Sequence, residues 1–144
     1  MSKKLISGLT FVLYCTALLA QSGETLTVKV NNINNKNAML RVALYNASTN
    51  FSSETKMYRA ITIQPNAKKE LQITFSNIPF GTYALALYQD INSNQKLDVN
   101  FVGYPKEPFG FSNNYKPMIS APTFADCAFV FSQANKTITI NLIN

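Results

Sequence analysis

The fold of this chain is indicated most clearly by the stretch LQITFSNIPFGTYALALYQ, residues 71–89. In its first part, Leu71, Ile73 and Phe75 alternate with polar residues, which is the period of a strand with one face in the core and one in water. From Thr82 to Gln89 both alternating sets are apolar, as in a central strand or a strand whose outer face is covered by a loop. The stretch therefore predicts two β-strands.

The same alternation recurs along the chain, at residues 26–30, 40–45, 61–63 and 137–142, and residues 127–131 resemble 82–89 in being apolar on both faces. Polar clusters between these runs are typical of turns, and the longest helix expected is a short one within 52–58. The pattern predicts an all-β fold, an antiparallel β-sandwich of about seven strands of immunoglobulin-like or transthyretin-like type. The residues expected in its core are Phe75, Tyr83, Leu85, Phe129 and Ile140.

The N-terminal segment has the order of a secretory signal peptide. Lys3 and Lys4 precede an apolar run over residues 5–20, which is short for a membrane-spanning helix. Cleavage is expected near residues 20–22, after Ala20 or Ser22. The sequence thus predicts a signal peptide over 1–20, a single domain over 23–144, an exported protein that is periplasmic or secreted, and no transmembrane anchor after cleavage.

Charge and residue usage exclude several classes of function. Loss of residues 1–20 leaves 11 basic and seven acidic residues, a net charge of +4, with the basic residues scattered. Nucleic-acid binding normally shows a clustered basic stripe, so it is not expected. The chain has no histidine, which excludes Ser-His and Cys-His catalysis and histidine-based zinc sites. Cys127 would be the one cysteine left, so we expect no internal disulfide and a buried, inert thiol.

Residues 90–98 carry a pattern of oxygen-bearing side chains at alternate positions. Asp90, Asn92 and Asn94 would offer side-chain oxygens to a calcium ion, Lys96 its backbone carbonyl and Asp98 its carboxylate. Two positions depart from an EF-hand loop, because Gln95 replaces the usual Gly and Phe101 the usual bidentate Glu. The alternative is an Asx-rich turn whose side chains bind their own backbone amides.

Residues 99–125 contain four prolines and many aromatic residues, which predicts one long structured loop rather than a central strand. Its aromatic residues either fold back over the sheet or form a binding surface, since so many would not be left in water. The candidate binding residues are Tyr104, Glu107, Phe109, Phe111, Asn113 and Tyr115.

Several motifs in order make the chain resemble a known family. They are Ile78-Pro-Phe-Gly-Thr-Tyr-Ala84, the 90–98 pattern, Gly103-x-Pro-x-Glu-Pro-Phe-Gly-Phe-Ser-Asn113 and Pro122-x-Phe124. Together they closely resemble an exported bacterial family of unknown function, domain of unknown function 2141, which typically has Gly in place of Gln95. The resemblance implies an envelope or secreted β-sandwich and brings no activity.

Three functions follow as hypotheses. The first is an exported non-catalytic module that binds an envelope component, a glycan or a protein through residues 99–125. The second is a calcium-dependent structural module ordered by residues 90–98, with calcium as the one cofactor considered. The third is a hydrolase that uses two of Asp90, Asp98, Glu107 and Asp126, which would need a defined carboxylate separation. The first is favoured, so we expect no enzymatic activity.

Overall fold

The computed structural model describes residues 23–35 and 37–144, and the predicted signal peptide and its cleavage site lie outside these ranges. The described part is built from strands joined by turns, with three short helical segments, and this confirms the all-β class. The strands are β1 (Glu24–Asn31), β2 (Met39–Tyr45), β3 (Arg59–Ile63), β4 (Leu71–Ile78), β5 (Gly81–Asp90), β6 (Phe109–Phe111), β7 (Phe129–Phe131) and β8 (Lys136–Asn141). The helical segments are 3-10 turns at Ser48–Asn50 and Ser112–Asn114 and the helix α1 (Phe124–Cys127).

Two sheets make up the sandwich. One has the order β4-β1-β8, and the other has the order β3-β2-β5-β6, with β7 paired to the first residues of β5. The pairs are antiparallel as predicted, except that β1 and β8 run parallel. A strand with one buried face shows the same alternation of apolar and polar residues whether it pairs parallel or antiparallel. The sequence pattern therefore could not show that β1 and β8 run parallel.

The core lies between the facing sides of the two sheets. All five residues expected there are buried, with at most 8% of each side chain exposed. They join the aliphatic residues of β1, β2 and β4 in one cluster, which includes Leu26, Val28, Val30, Leu40, Val42, Leu44 and Ile73. Burial of each such side chain contributes about 1.5–3 kcal/mol before the entropy cost of ordering it.

The structure corrects two local predictions. The strand expected at 127–131 begins only at Phe129, because Cys127 ends α1, whose N-terminus is held by a capping box between Thr123 and Asp126. That strand pairs only with β5 and leaves Val130 58% exposed, so it is not central. No helix forms within 52–58, where Ser52 adopts a left-handed φ of 61° that is incompatible with a right-handed helix.

The outer face of β5 is partly covered by the long loop, as one of the two interpretations predicted. Phe109, Phe111 and Cys127 pack with Ala84 in a second apolar cluster, and half-buried Tyr115 and Phe124 pack against it. Phe101 and Tyr104 remain exposed. The loop also contains β6, a three-residue strand that the proline-rich composition did not reveal.

In the described part of the chain, no helix has both the length and the apolar character needed to cross a membrane.

Candidate functional site

A row of alanines crosses the outer face of the larger sheet. In the strand register, Ala43 on β2 lies opposite Ala86 on β5 and Ala60 on β3. Since an alanine side chain ends at Cβ, three of them side by side leave a depression in the sheet surface. We call this depression the alanine trough.

Larger side chains form the walls of the trough. Arg41 lies opposite Tyr88 on one side of the alanine row, and Tyr45 follows on the other side. Phe109 and Phe111 from β6 pack edge to face, 5.8 Å between ring centroids, and close one end. The open trough has a volume of about 290 Å³, close to the lower limit for small-molecule pockets. Side chains from the preceding turns complete the lining, namely Ser52, Glu54, Met57, Gln95 and Leu97.

The polar groups of the trough are of mixed sign. Arg41 Nε lies 3.5 Å from Oδ2 of buried Asp90, an ion pair in which Nε makes no hydrogen bond. Glu54 also lines the trough and carries the opposite charge to Arg41.

Burial raises the pKa of Tyr88 to about 12, although the positive charge of Arg41 acts in the opposite direction. Burial, with a smaller contribution from Glu54, raises the pKa of Tyr45 to about 12. Both tyrosines therefore keep their hydroxyl protons at neutral pH.

The 90–98 segment adjoins the trough and forms a closely hydrogen-bonded loop. Asp90 accepts the backbone amides of Asn94 and Gln95 at 3.0 and 2.9 Å, one on each carboxylate oxygen. The side-chain amides of Asn92 and Asn94 donate to Asp98 at 2.6–3.2 Å. The predicted side chains of Asn92, Asn94 and Asp98 thus come together, whereas Lys96 contributes its backbone amide, which donates to Asn94 Oδ1 at 2.9 Å.

Glu107 holds the two ends of this loop. Its side chain is buried, and its two oxygens accept the backbone amides of Ile91 at 2.7 Å and Asp98 at 3.1 Å. Glu107 lies nine residues after the end of the loop, so the pattern of residues 90–98 did not predict that it binds the loop. It is a structural clasp and does not face the solvent.

The groups that could hold a metal ion are the oxygen atoms of Asp90, Asn92, Asn94 and Asp98. Among the described residues, no three Asp, Glu, Cys or His side chains gather in a way that could hold a metal ion. A calcium ion here would therefore depend on amide and backbone oxygens as well as two carboxylates, and the calcium site stays a prediction.

Each acid considered for hydrolysis already has structural partners. Asp90, Asp98 and Glu107 are engaged in the loop as described. Asp126 accepts the backbone amide and hydroxyl of Thr123 at 2.8 and 2.7 Å, and these hydrogen bonds lower its pKa.

Cys127 is fully buried, and burial raises the pKa of its thiol to about 12, whereas an activated nucleophile has a lowered pKa.

The remaining candidate binding residues divide between four places. Phe109 and Phe111 line the trough, and Tyr115 packs against the second apolar cluster. Asn113 donates to the backbone oxygen of Ala128 at 2.9 Å and so fixes the start of β7. Tyr104 lies 41% exposed in the turn that follows the 90–98 loop, with its ring edge-on to Phe109 at 5.5 Å.

The trough residues of β2, β3 and β5 were not among the predicted site residues. The available signal was the outward-facing set Arg41-x-Ala43-x-Tyr45 together with Ala84-x-Ala86-x-Tyr88, two strands with small residues at positions that face away from the core. Which alanines meet depends on the register, and the strand pattern alone does not give the register.

Two packed sheets, a covered outer face and a small trough define an all-β, sandwich-like protein with a candidate ligand site. Residues 28–139 match the family model described as an uncharacterized protein conserved in bacteria, DUF2141, and the chain belongs to that family. Neither the curated proteins nor the solved structures yield a match to the chain.

Proposed function

We propose that this protein is an exported, non-catalytic binding module that holds a neutral saccharide in the alanine trough. The observation that carries the proposal is the row of Ala43, Ala60 and Ala86 between aromatic and polar walls. Export is supported by the basic and apolar order of residues 3–20. The aromatic residues Phe109 and Phe111 bring the long loop into the same site.

The chemistry of the trough suits a sugar ring. A saccharide has an apolar face of C–H groups and a rim of hydroxyls that both donate and accept hydrogen bonds. The alanine floor and the aromatic rings match the apolar face, whereas Tyr88, Gln95 and Glu54 supply donors and acceptors at the rim.

The charges favour a neutral ligand. Arg41 is already paired with Asp90, and Glu54 faces the same trough. Among the described residues that line the trough, Arg41 is the basic one, and a phosphate or carboxylate would have to compete with Asp90 for it and lie near Glu54.

The absence of catalysis is supported by the state of the candidate groups. Two carboxylates of a glycosidase must face the substrate, one of them with a raised pKa. Here Glu107 and Asp90 are buried and accept backbone amides, and Asp126 belongs to a helix cap.

The proposal is tested with a panel of neutral malto-, cello- and chito-oligosaccharides. We expect at least one to bind and to shift the methyl NMR signals of Ala43 and Ala86. Ala43→Leu fills the trough and should abolish binding, whereas Ala125→Leu, an exposed alanine on α1, should leave binding unchanged. Failure of the whole panel, or binding that survives Ala43→Leu, would contradict the proposal.

A second candidate function is a calcium-ordered module. It is favoured by the convergence of Asn92 and Asn94 on the Asp98 carboxylate. Rotation of the two side-chain amides would present oxygen instead of nitrogen to an ion at that point.

Thermal unfolding with chelator and then with millimolar calcium tests this candidate. An ion that binds only the native state at 100 times its Kd adds about 2.7 kcal/mol to the free energy of unfolding. The rise should vanish in Asp98→Asn and persist in Asp126→Asn, which changes an exposed carboxylate outside the loop. An unchanged Tm in the parent protein would leave the loop as an Asx-rich turn.

A further inference from the structure

The turn that follows the 90–98 loop displays apolar side chains away from the protein. Phe101 is 99% exposed and Val102 is 70% exposed, with Val99 and Tyr104 also exposed on either side. We call residues 98–106 the apolar hairpin. Exposed apolar residues are ordinary when single, but several on one projecting turn mark a contact surface.

The hairpin is held in shape by its own backbone. The amide of Lys106 donates to the carbonyl of Asp98 at 2.8 Å, and the amide of Asn100 donates to Tyr104 at 2.8 Å. At the tip, the amide of Gly103 donates to the carbonyl of Asn100 at 2.9 Å. The side chain of Asn100 accepts the amides of Val102 and Tyr104 at 3.0 and 2.9 Å. These hydrogen bonds join backbone groups and the Asn100 side chain. The turn therefore keeps its shape while the side chains of Phe101 and Val102 point into the solvent.

Gly103 permits this geometry, because its φ of 82° lies in the left-handed region. With Val102, Gly103 and Tyr104 all bonded inside the hairpin, the tip can leave water without exposing those amides. The amide of Phe101 has no partner among the described residues, so this bonding lowers but does not remove the cost of entering an apolar phase such as the lipid acyl region.

Two lysines flank the base of the hairpin. Lys96 and Lys106 are exposed, and neither is in an ion pair within the described residues. The acids next to these lysines in the chain are held by other groups: the Asp98 carboxylate accepts the side-chain amides of Asn92 and Asn94, and Glu107 is buried and accepts two backbone amides. An apolar tip above exposed lysines matches the interface of an anionic lipid surface, where an aromatic residue such as Tyr104 occupies the headgroup level.

We infer that the apolar hairpin is a membrane-contact site that inserts Phe101 and Val102 into the surface of an anionic bilayer. A single turn is too small for a stable protein–protein interface, which buries about 800 Å² on each partner. A lipid surface, unlike a protein partner, does not require a complementary surface of defined shape. With one apolar tip and two lysines, binding should be reversible and should weaken as salt screens the lysines. This site is separate from the alanine trough.

A tryptophan reporter tests the inference, since the chain contains no tryptophan. The protein from Gly23 onward, which holds both sheets and the core, is mixed with phosphatidylglycerol–phosphatidylcholine vesicles and with phosphatidylcholine vesicles. Emission of the Phe101→Trp variant should shift to the blue with the anionic vesicles. The matched reporter Ile119→Trp, at an equally exposed position in another loop, should not shift.

Vesicle flotation supplies a second measurement without tryptophan. Phe101→Ser with Val102→Ser should lower the partition coefficient by at least about tenfold. The control pair Met118→Ser and Ile119→Ser removes apolar groups that are 90% and 100% exposed elsewhere and should have little effect. Equal blue shifts at positions 101 and 119, equal losses in the two double variants, or no binding of the parent protein would overturn the inference.

Discussion

At the scale of single residues, asparagine takes much of the role that glycine plays in turns. The chain has five glycines, yet ten described non-glycine residues adopt a positive φ, and six of these are asparagine. Asparagine tolerates the left-handed region better than other residues that carry a Cβ. The high asparagine content therefore reflects the turns that connect the strands.

In the 90–98 loop the two residues with a positive φ are Ser93 and Gln95, and of these Gln95 has the longer side chain, at a φ of 67°. Gln95→Gly should raise the free energy of unfolding by about 0.5–1 kcal/mol, since relief of left-handed strain exceeds the added freedom of the unfolded chain. Urea unfolding measures the change. Gln72→Gly, at an exposed position of β4, should lower stability by a similar amount. A loss of stability in both variants would refute the strain at Gln95.

Glu107 offers a second test at this scale. Glu107→Gln keeps the shape of the side chain but replaces one accepting oxygen by an amide nitrogen, which cannot accept the backbone amide of Ile91 or Asp98. We expect a loss of about 1–3 kcal/mol, the cost of an unsatisfied buried donor. Hydrogen exchange should become faster at Ile91 and Asp98 in particular. If the exchange rates of these two amides were unchanged, Glu107 would not be the clasp of the loop.

At the scale of elements, β6 joins the two sheets. It pairs with β5 in the larger sheet, and Phe109 exchanges two hydrogen bonds with Ile143, just beyond β8 of the smaller sheet, at 3.0 and 2.8 Å. This bridge holds the long loop over the outer face of β5. It also positions Phe109 and Phe111 at the end of the alanine trough.

Local pattern predicted the long strands and the core but missed β6 and the trough, for physical reasons. Strands such as β4 bury alternate residues, so residues 71–78 contain their own signal. The strand β6 has only three residues, all buried, and follows Pro108. The trough arises from pairing between Ala43, Ala60 and Ala86, which are distant in sequence. The convergence of residues 92–98 was predictable because those residues are neighbours in the chain, whereas the Glu107 clasp was not.

The bridge makes Gly110 sensitive to substitution. A Cβ at this position would lie 2.8 Å from Cγ2 of Ile140, below any ordinary carbon–carbon contact. Gly110→Ala should therefore push β6 away from β8 and cost about 1–3 kcal/mol in stability. The control is Gly81→Ala, where the nearest atom would be 3.4 Å away, and it should change stability little. Equal effects of the two variants in urea unfolding would show that the contact is not limiting.

At the scale of the whole molecule, one core between two sheets and a smaller cluster under the loop hold the described chain together. The described cysteine, Cys127, is free and buried in the smaller cluster. Next to that cluster, Tyr45 and Tyr88 lie with burial-raised pKa values. These three groups therefore have to stay protonated in the folded state, and they link stability to alkaline pH.

The sign of this linkage is fixed by the raised pKa values. In the unfolded chain the thiol loses its proton near pH 9.0 and the tyrosines near pH 10.0, whereas in the folded protein each pKa is about 12. Between these values the unfolded state binds fewer protons than the folded state, so stability falls as pH rises. The stabilising contribution is complete below about pH 9 and is lost as the pH approaches about 12.

Thermal unfolding from pH 7 to 11 measures this dependence. Tm should begin to fall near pH 9, where Cys127 alone contributes, and should fall more steeply above pH 10 as Tyr45 and Tyr88 join. Cys127→Ala should remove the first part of the decline, and Tyr88→Phe should reduce only the second. Cys127→Ala removes the thiol and keeps both phenols, whereas Tyr88→Phe removes one phenol and keeps the thiol, so the two contributions can be measured separately. A decline that begins at the same pH and has the same slope in all three proteins would mean that other groups set the alkaline limit.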